Sequence, residues 1–388
     1  MKRVYLDHNA TTPVRPEVAE AMRPFLGALF GNPNSIHGFG REARAAVEEA
    51  RARAAALIGA AEPEEILFTS GGTESDNLAL RGALAAAGGS GHILTSAVEH
   101  HAVLDTCKAL ESGKIRVTCL PPDKAGRVTA GAVAGALRPD TRLVSVMWGN
   151  NEVGTLQPVG EIAALCRERG VPFHTDAVQA LGKVPMNVRE LGVDFLSASA
   201  HKINGPKGAG FLYVRTGARL APLLTGGGQE RDLRSGTENV PGIVGLGEAC
   251  RLAREEGPAQ ARALAALRER LESAVCERIP DVVVNGGAAE RLPGTSNLSF
   301  IGAEGETLLI RLDLEGIAVS TGSACSAGST EPSHVLVAMG LSLEALRGSL
   351  RFSLGWGSTE EDVGRVLDVL PEAVRRVRAM APKPEARR

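Results

Sequence analysis

Phe173-His174-Thr175-Asp176-Ala177-Val178-Gln179 and Phe195-Leu196-Ser197-Ala198-Ser199-Ala200-His201-Lys202 each begin as a short strand-like run and turn polar at the end. Runs of that length bounded by turn residues read as buried strands. Outward from them, segments of helical period alternate with similar runs: Ala43 to Ile58 helix, Glu65 to Thr69 strand, Thr73 to Ala87 helix, His92 to Ser96 strand. The alternation continues through Arg142 to Trp148, Val159 to Arg169, Pro172 to Asp176, Phe195 to Ala198 and Gly210 to Val214. Such an order specifies an α/β sheet, largely parallel, with helices on its faces. Sheets of this kind place ligands at strand ends. Asp176 stands at one such end, and Lys202 closely follows another.

A chain of 388 residues exceeds what one hydrophobic core usually serves, so two domains are expected. The character changes at Glu255-Glu256-Gly257-Pro258, after which come a long Ala/Leu/Arg helix through Ile279 and strands near Val282 to Asn285 and Asn297 to Ile301. A last helix starts at a capping box of Ser358 with Glu361 and runs to about Met380. The expected division is a large α/β domain over residues 15–257 and a smaller α+β domain of residues 1–14 and 258–388. Lys and Arg total 43 against 45 Asp and Glu, a net charge of -2, which gives no reason to expect nucleic acid or an anionic membrane as partner. Met1 to Asp7 turns polar before an apolar signal core forms, and no apolar stretch reaches the roughly 18 residues of a membrane span, so a soluble, cytoplasmic protein is expected. Cys107, Cys119, Cys166, Cys250, Cys276 and Cys325 are scattered, without metal-type spacing, which argues against disulfide and metal frameworks.

Chemistry-bearing residues cluster at the strand ends. Ser70-Gly71-Gly72-Thr73-Glu74 follows a strand and opens a helix, where free N–H groups and the Thr73 hydroxyl suit a phosphate as well as they suit an ordinary capped turn. Ser199 and His201 can add donors. Lys202 alone reads as a surface lysine. Paired with Asp176, it reads as the Schiff-base lysine of a pyridoxal 5'-phosphate site, with the carboxylate keeping the ring nitrogen protonated. Gln179 can reach the ring's phenolic oxygen. His100, at another strand end, is a structural histidine or one that stacks on the ring and moves protons. Arg351 lies in the alternating run Leu350-Arg351-Phe352-Ser353-Leu354, on a face that is either wet or clamps an α-carboxylate with help from Asn151. Cys325, among the tiny residues Ser320 to Ser329, has no apolar face to bury it, which favours a nucleophilic thiol over a core one.

With these residues go Tyr5-Leu6-Asp7-His8-Asn9-Ala10-Thr11-Thr12-Pro13, Gly31-Asn32-Pro33-Asn34-Ser35 and Arg234-Ser235-Gly236-Thr237. In this order they resemble the pyridoxal-phosphate cysteine desulfurases of the iron-sulfur-cluster and nitrogen-fixation type, in the form with a long cysteine loop, over nearly the whole chain. The resemblance implies the aminotransferase-like fold type I, with a mainly parallel seven-stranded sheet, in a homodimer. It implies Lys202 as the point of cofactor attachment, Asp176 at the ring nitrogen, Gln179 at the phenolic oxygen and His100 stacked on the ring. Gly72, Thr73, Ser199 and His201 would hold the phosphate, joined by Thr237 from a neighbouring subunit, while Asn151 and Arg351 would bind the substrate carboxylate. The implied reaction turns L-cysteine into L-alanine and leaves sulfur on Cys325 as a persulfide for a cluster scaffold or a tRNA-thiolation protein. A selenocysteine lyase or an aminotransferase is the nearest alternative, since fold and cofactor do not fix the reaction. Thr321, His101 and Trp356 depart from the commonest pattern of the family.

Overall fold

In the computed structural model, which describes residues 3–321 and 332–380, seven strands form one sheet. Their spatial order is Ile66–Thr69, Gly210–Val214, Phe195–Ser199, Phe173–Asp176, Thr141–Ser145, Gly91–Ser96 and Ile115–Leu120. Only Gly210–Val214 runs against its neighbours; the other pairings are parallel. The polar ends of Ile66–Thr69, Gly91–Ser96, Thr141–Ser145, Phe173–Asp176 and Phe195–Ser199 therefore share one edge. Side chains alternate across a strand, and here consecutive residues divide between two apolar layers. Phe68, Val144, Leu196 and Phe211 join one layer with Val18, Val47 and Leu246. Leu67, Leu143, Phe195 and Leu212 join the other with Leu78, Leu80 and Ile93. Burial on both faces is what makes these strands nearly continuous apolar runs.

A second core lies around the antiparallel strands Ser349–Ser353, Thr295–Phe300 and Val282–Asn285, in that spatial order. The helices Gly305–Leu314 and Glu360–Met380 cover it through Leu308, Leu312, Val366 and Leu370. Val4 and Leu6 are buried in this core too, because Val4–Tyr5 pairs in parallel with Ile317–Ala318. The chain thus begins in the second core before building the first.

Two expectations need correction. The long helix does not start at the composition change of 255–258, because it runs from Val240 to Arg278 with Pro258 inside it. Proline removes one helical hydrogen bond, yet Leu246 and Leu252 are anchored in the first core and Leu264, Leu271 and Val275 in the second. Packing at both ends carries the helix through. The last helix is capped one residue later than expected: Thr359 N–H donates to Asp362 at 2.9 Å, and Asp362 N–H donates back to Thr359 Oγ1 at 3.2 Å. Ser358 is occupied otherwise, accepting from the Gly355 N–H at 3.0 Å. Among the described residues no helix is long and apolar enough to cross a membrane, and no group of His, Cys, Asp and Glu is arranged to hold a metal ion.

Candidate active site

The helix Gly72–Ala86 opens directly off the strand Ile66–Thr69, and its N-cap residue, Gly71, has φ 151° and offers no side-chain cap. Its first N–H groups are therefore presented rather than covered. A side chain at Gly72 would come within 2.7 Å of Val178, so glycine lets this helix end approach the turn after Asp176. Thr73 follows in the same first turn. Ser199 lies beside it, its Oγ 3.7 Å from where a Gly71 side chain would begin. His201 is half-buried, and its Nδ1 shares a hydrogen bond with Thr11 Oγ1 at 3.1 Å. Burial first, then the charges of Lys202 and Lys207, lower its pKa to about 4.

Asp176 is buried and accepts the Val178 N–H at 2.8 Å. Burial raises its pKa to about 6, against the pull of that N–H and of Lys202. A carboxylate so placed gains much from a buried cation. Lys202 follows the sheet on the short 3-10 turn Ala200–Lys202, and its Nζ donates to the carbonyls of Asn9 at 2.5 Å and Ala10 at 2.8 Å. His100 caps the helix His101–Leu110 by accepting the Ala102 N–H on Nδ1 at 3.1 Å. Burial and the nearby Lys202 lower its pKa to about 4, so the ring is neutral near pH 7 with its proton on Nε2. The neighbouring His101 packs instead on His334, with ring centroids 4.8 Å apart.

Gln179 is engaged on both sides of its amide. Nε2 donates to the Asn9 carbonyl at 2.9 Å, and Oε1 accepts from Lys183 at 3.0 Å. Arg351 is buried and held by two acceptors, Asp7 Oδ1 at 2.7 Å and the Asn151 carbonyl at 3.0 Å, while its Nε has no partner. The wet-face alternative for Arg351 is thereby excluded. Asn9 ties these groups together, because its side chain donates to the Asn151 carbonyl at 3.1 Å and to Thr295 at 2.9 Å. Lys202 also lines a cleft together with Asn9, Arg15, Lys183 and Trp356 among others.

Asp176, Lys202, His100, Ser199 and the Gly72–Thr73 helix start thus meet on one side of the sheet edge, with Arg351 and Asn151 reaching them through Asn9. Thr237 is exposed, in the segment before the long helix, where nearby Arg234 pairs with Glu74 at 2.8 Å. Cys325 lies outside the described residues. Sequence reasoning gave no individual role to Asp7, Asn9 or Lys183. The polar run from Tyr5 to Pro13 carried the only signal for the first two. Lys183 had the weak signal of a lysine four residues after Gln179. Burial, Lys202 and Arg351 lower its pKa to about 7.

Comparison with known proteins adds three findings. The family model described as aminotransferase class-V matches residues 4–366. The chain is 52% identical over 384 residues to the cysteine desulfurase IscS of Dictyoglomus turgidum, covering 98% of this chain and 97% of that one. It is also 52% identical over 382 residues to the cysteine desulfurase IscS of Methanosarcina thermophila, at 98% and 94% coverage. Among solved structures, a NifS-like protein superimposes with a TM-score of 0.90 at 40% identity, covering 97% of this chain and all of that one.

Proposed function

The chain belongs to the class-V aminotransferase family and is a pyridoxal-phosphate-dependent cysteine desulfurase, and from that premise we propose how its residues divide the work. The supporting observation is the convergence of Lys202, buried Asp176 and an uncapped helix start at one sheet edge. The donor set fits the cofactor: N–H groups and hydroxyls for a phosphate dianion, a buried carboxylate for a protonated ring nitrogen, and a lysine amine for the aldehyde. When bound, pyridoxal phosphate supplies an electron sink for the substrate's α-carbon.

Gly72, Thr73, Ser199 and His201 hold the phosphate, with Thr237 contributed by a second copy of the chain. His201 enters neutral, so it acts as a hydrogen-bonding group rather than as a charge. Asp176 holds the ring nitrogen in its protonated form. Gln179 is oriented by Lys183 so that its N–H₂ end can meet an acceptor such as a phenolic oxygen. Arg351 binds the carboxylate of L-cysteine with its guanidinium, and Asn151 assists. Lys202, its amine held at the sheet edge by the carbonyls of Asn9 and Ala10, would take the α-proton of the substrate. His100, neutral and carrying Nε2–H, can give a proton at neutral pH and take it back. Cys325 supplies the thiolate: its sulfur bonds to the substrate sulfur, the carbon–sulfur bond breaks, its electron pair stays with the carbon, and protonation there yields alanine. The resulting persulfide passes to an acceptor protein. We place the enzyme in the cytoplasm as a homodimer, and its two cores as domains that meet at the long helix Val240–Arg278.

Incubation of the purified protein with L-cysteine tests this reading. Alanine should form in step with sulfide under a reductant, and without reductant the peptide containing Cys325 should gain the mass of one sulfur atom. Alanine formation at the parent rate by Cys325→Ser would exclude the thiol route.

A further inference from the structure

Asp176 is the inner end of a longer buried polar line. His174 precedes it by two residues on the same strand and so shares its face. The parallel register sets Ser145 beside His174 and Ser197 beside Asp176. Asp76 enters this layer from the helix Gly72–Ala86 and is 1% exposed. Ser145 Oγ bonds His174 Nδ1 at 2.8 Å and His174 Nε2 bonds Ser197 Oγ at 2.9 Å, and the Ser197 hydroxyl lies close enough to the Asp76 carboxyl to favour its charged form. Asp76 Oδ1 is left with no hydrogen-bond partner, 3.6 Å from His174 Nε2.

Counting protons leaves this line two arrangements. Each hydroxyl and the neutral imidazole has one proton to give, and burial keeps His174 neutral by lowering its pKa to about 3. If Asp76 is ionised, Ser197 donates to it, His174 Nε2–H donates to Ser197, and Ser145 donates to Nδ1. If Asp76 carries a proton and turns its O–H to Ser197, every donor reverses: Asp76 donates to Ser197, Ser197 to Nε2, and Nδ1–H to Ser145. The electrostatics choose between them. Burial and then the charge of Asp176 raise the pKa of Asp76, against the smaller pull of the Ser197 hydroxyl. Asp176, by contrast, has the Val178 N–H and Lys202 to favour its charge. Two carboxyls buried together carry one negative charge rather than two.

We propose that Asp76 is a positioning residue that works as a neutral acid: it keeps its proton, so the single negative charge of the pair resides on Asp176, and it holds His174 in the Nδ1–H form. This rests on Asp176 facing the cofactor's ring nitrogen. Nitrogen-15 NMR of histidine-labelled wild-type protein stripped of cofactor should find the proton of His174 on Nδ1. The infrared difference between wild type and Asp76→Asn, also without cofactor, should contain the C=O stretch of a protonated carboxyl. Rebinding of pyridoxal phosphate should weaken by about tenfold in Asp76→Ala and recover most of that in Asp76→Asn, whose amide N–H replaces the acid O–H. The pH titration of the bound chromophore should shift in Asp76→Ala and return in Asp76→Asn. An Nε2–H tautomer, a carboxylate band in the difference spectrum, or Asp76→Asn behaving like Asp76→Ala would overturn the proposal. Asp176→Asn run in the same rebinding assay separates the two readings. Unchanged affinity and titration there would displace the ring from Asp176, while the cofactor-free spectra still decide the state of Asp76.

Discussion

The two sides of the candidate site are held by different means. On the sheet side, Asp176, Ser199 and Gly72 take their places from strand ends in one register, and residues close in sequence do most of the positioning. On the N-terminal side, position depends on side chains that meet across great separations. Asp7 and Arg351 are 344 residues apart, Asn9 and Thr295 286, and Asn9 and Asn151 142. The first arrangement comes from backbone pairing within one core. The second exists only when both cores have formed and the chain start lies between them. Chemistry that attaches a cofactor should therefore tolerate loosening of the second core better than chemistry that grips a substrate carboxylate.

The sharpest test breaks the sheet side outright. Lys202→Ala should lower alanine formation by about a thousandfold or more, the scale of losing a positioned acid/base group, and dialysed protein should lose its visible absorption. A drop of only a few-fold would move the attachment point elsewhere.

Arg351→Ala should instead leave cofactor absorption intact and raise KM for cysteine. A hydrogen-bonded charge contributes about 1.5–3 kcal/mol, or roughly ten- to a hundredfold. Asp7→Asn should move KM in the same direction by less, because it frees the guanidinium without removing it. If Asp7→Asn disturbed the cofactor spectrum as strongly as Lys202→Ala, the two sides would not be separable.

A third test concerns the buried acid beside the sheet site. Glu99 is buried, Ser96 and the Met147 N–H both bond one of its oxygens, and its other oxygen has no partner. Burial raises its pKa from 4.5 to about 8. The folded state thus holds a proton that the unfolded state has released. Its stabilising effect is complete below about pH 4.5 and is lost as pH rises toward 8. The melting temperature of wild type minus that of Glu99→Gln should therefore fall between pH 5 and pH 8. Parallel curves would mean that Glu99 is ionised in the fold.

The smallest effect lies far from the chemistry. Thr359→Ala should cost about 1 kcal/mol of stability by removing the cap of the last helix, and Ser358→Ala less. Denaturant titration of the two variants decides the register of that cap.

Much of the sheet side was legible from residue order. Apolar runs ending at Asp176 and near Lys202, with a glycine turn opening a helix at Gly72, give strand, edge and anion site together because each signal is local. Arg351 showed its face through the alternation around it, but not whether that face was wet. Its two acceptors come from Asp7 and Asn151, which no local pattern links to it. Lys183 and Asp76 were passed over for the same reason, since a charged residue on a helix or turn is ordinarily solvated. The composition change near Pro258 misplaced the start of the long helix, because a helix anchored in two cores can carry a residue that its own propensities disfavour.

By itself, then, the order of residues determined the layered α/β architecture, the edge where the strands end, and the kinds of chemical group gathered there. Hydrophobic period and turn chemistry act over a few residues, and the same rules hold in any chain. Tertiary structure alone decided the charge states and the gripping geometry: which buried carboxyl keeps its proton, which carbonyls hold Lys202, and what holds Arg351. Those depend on burial and on the distance between groups remote in sequence, and the energies involved do not exist until water has been excluded and both cores are closed.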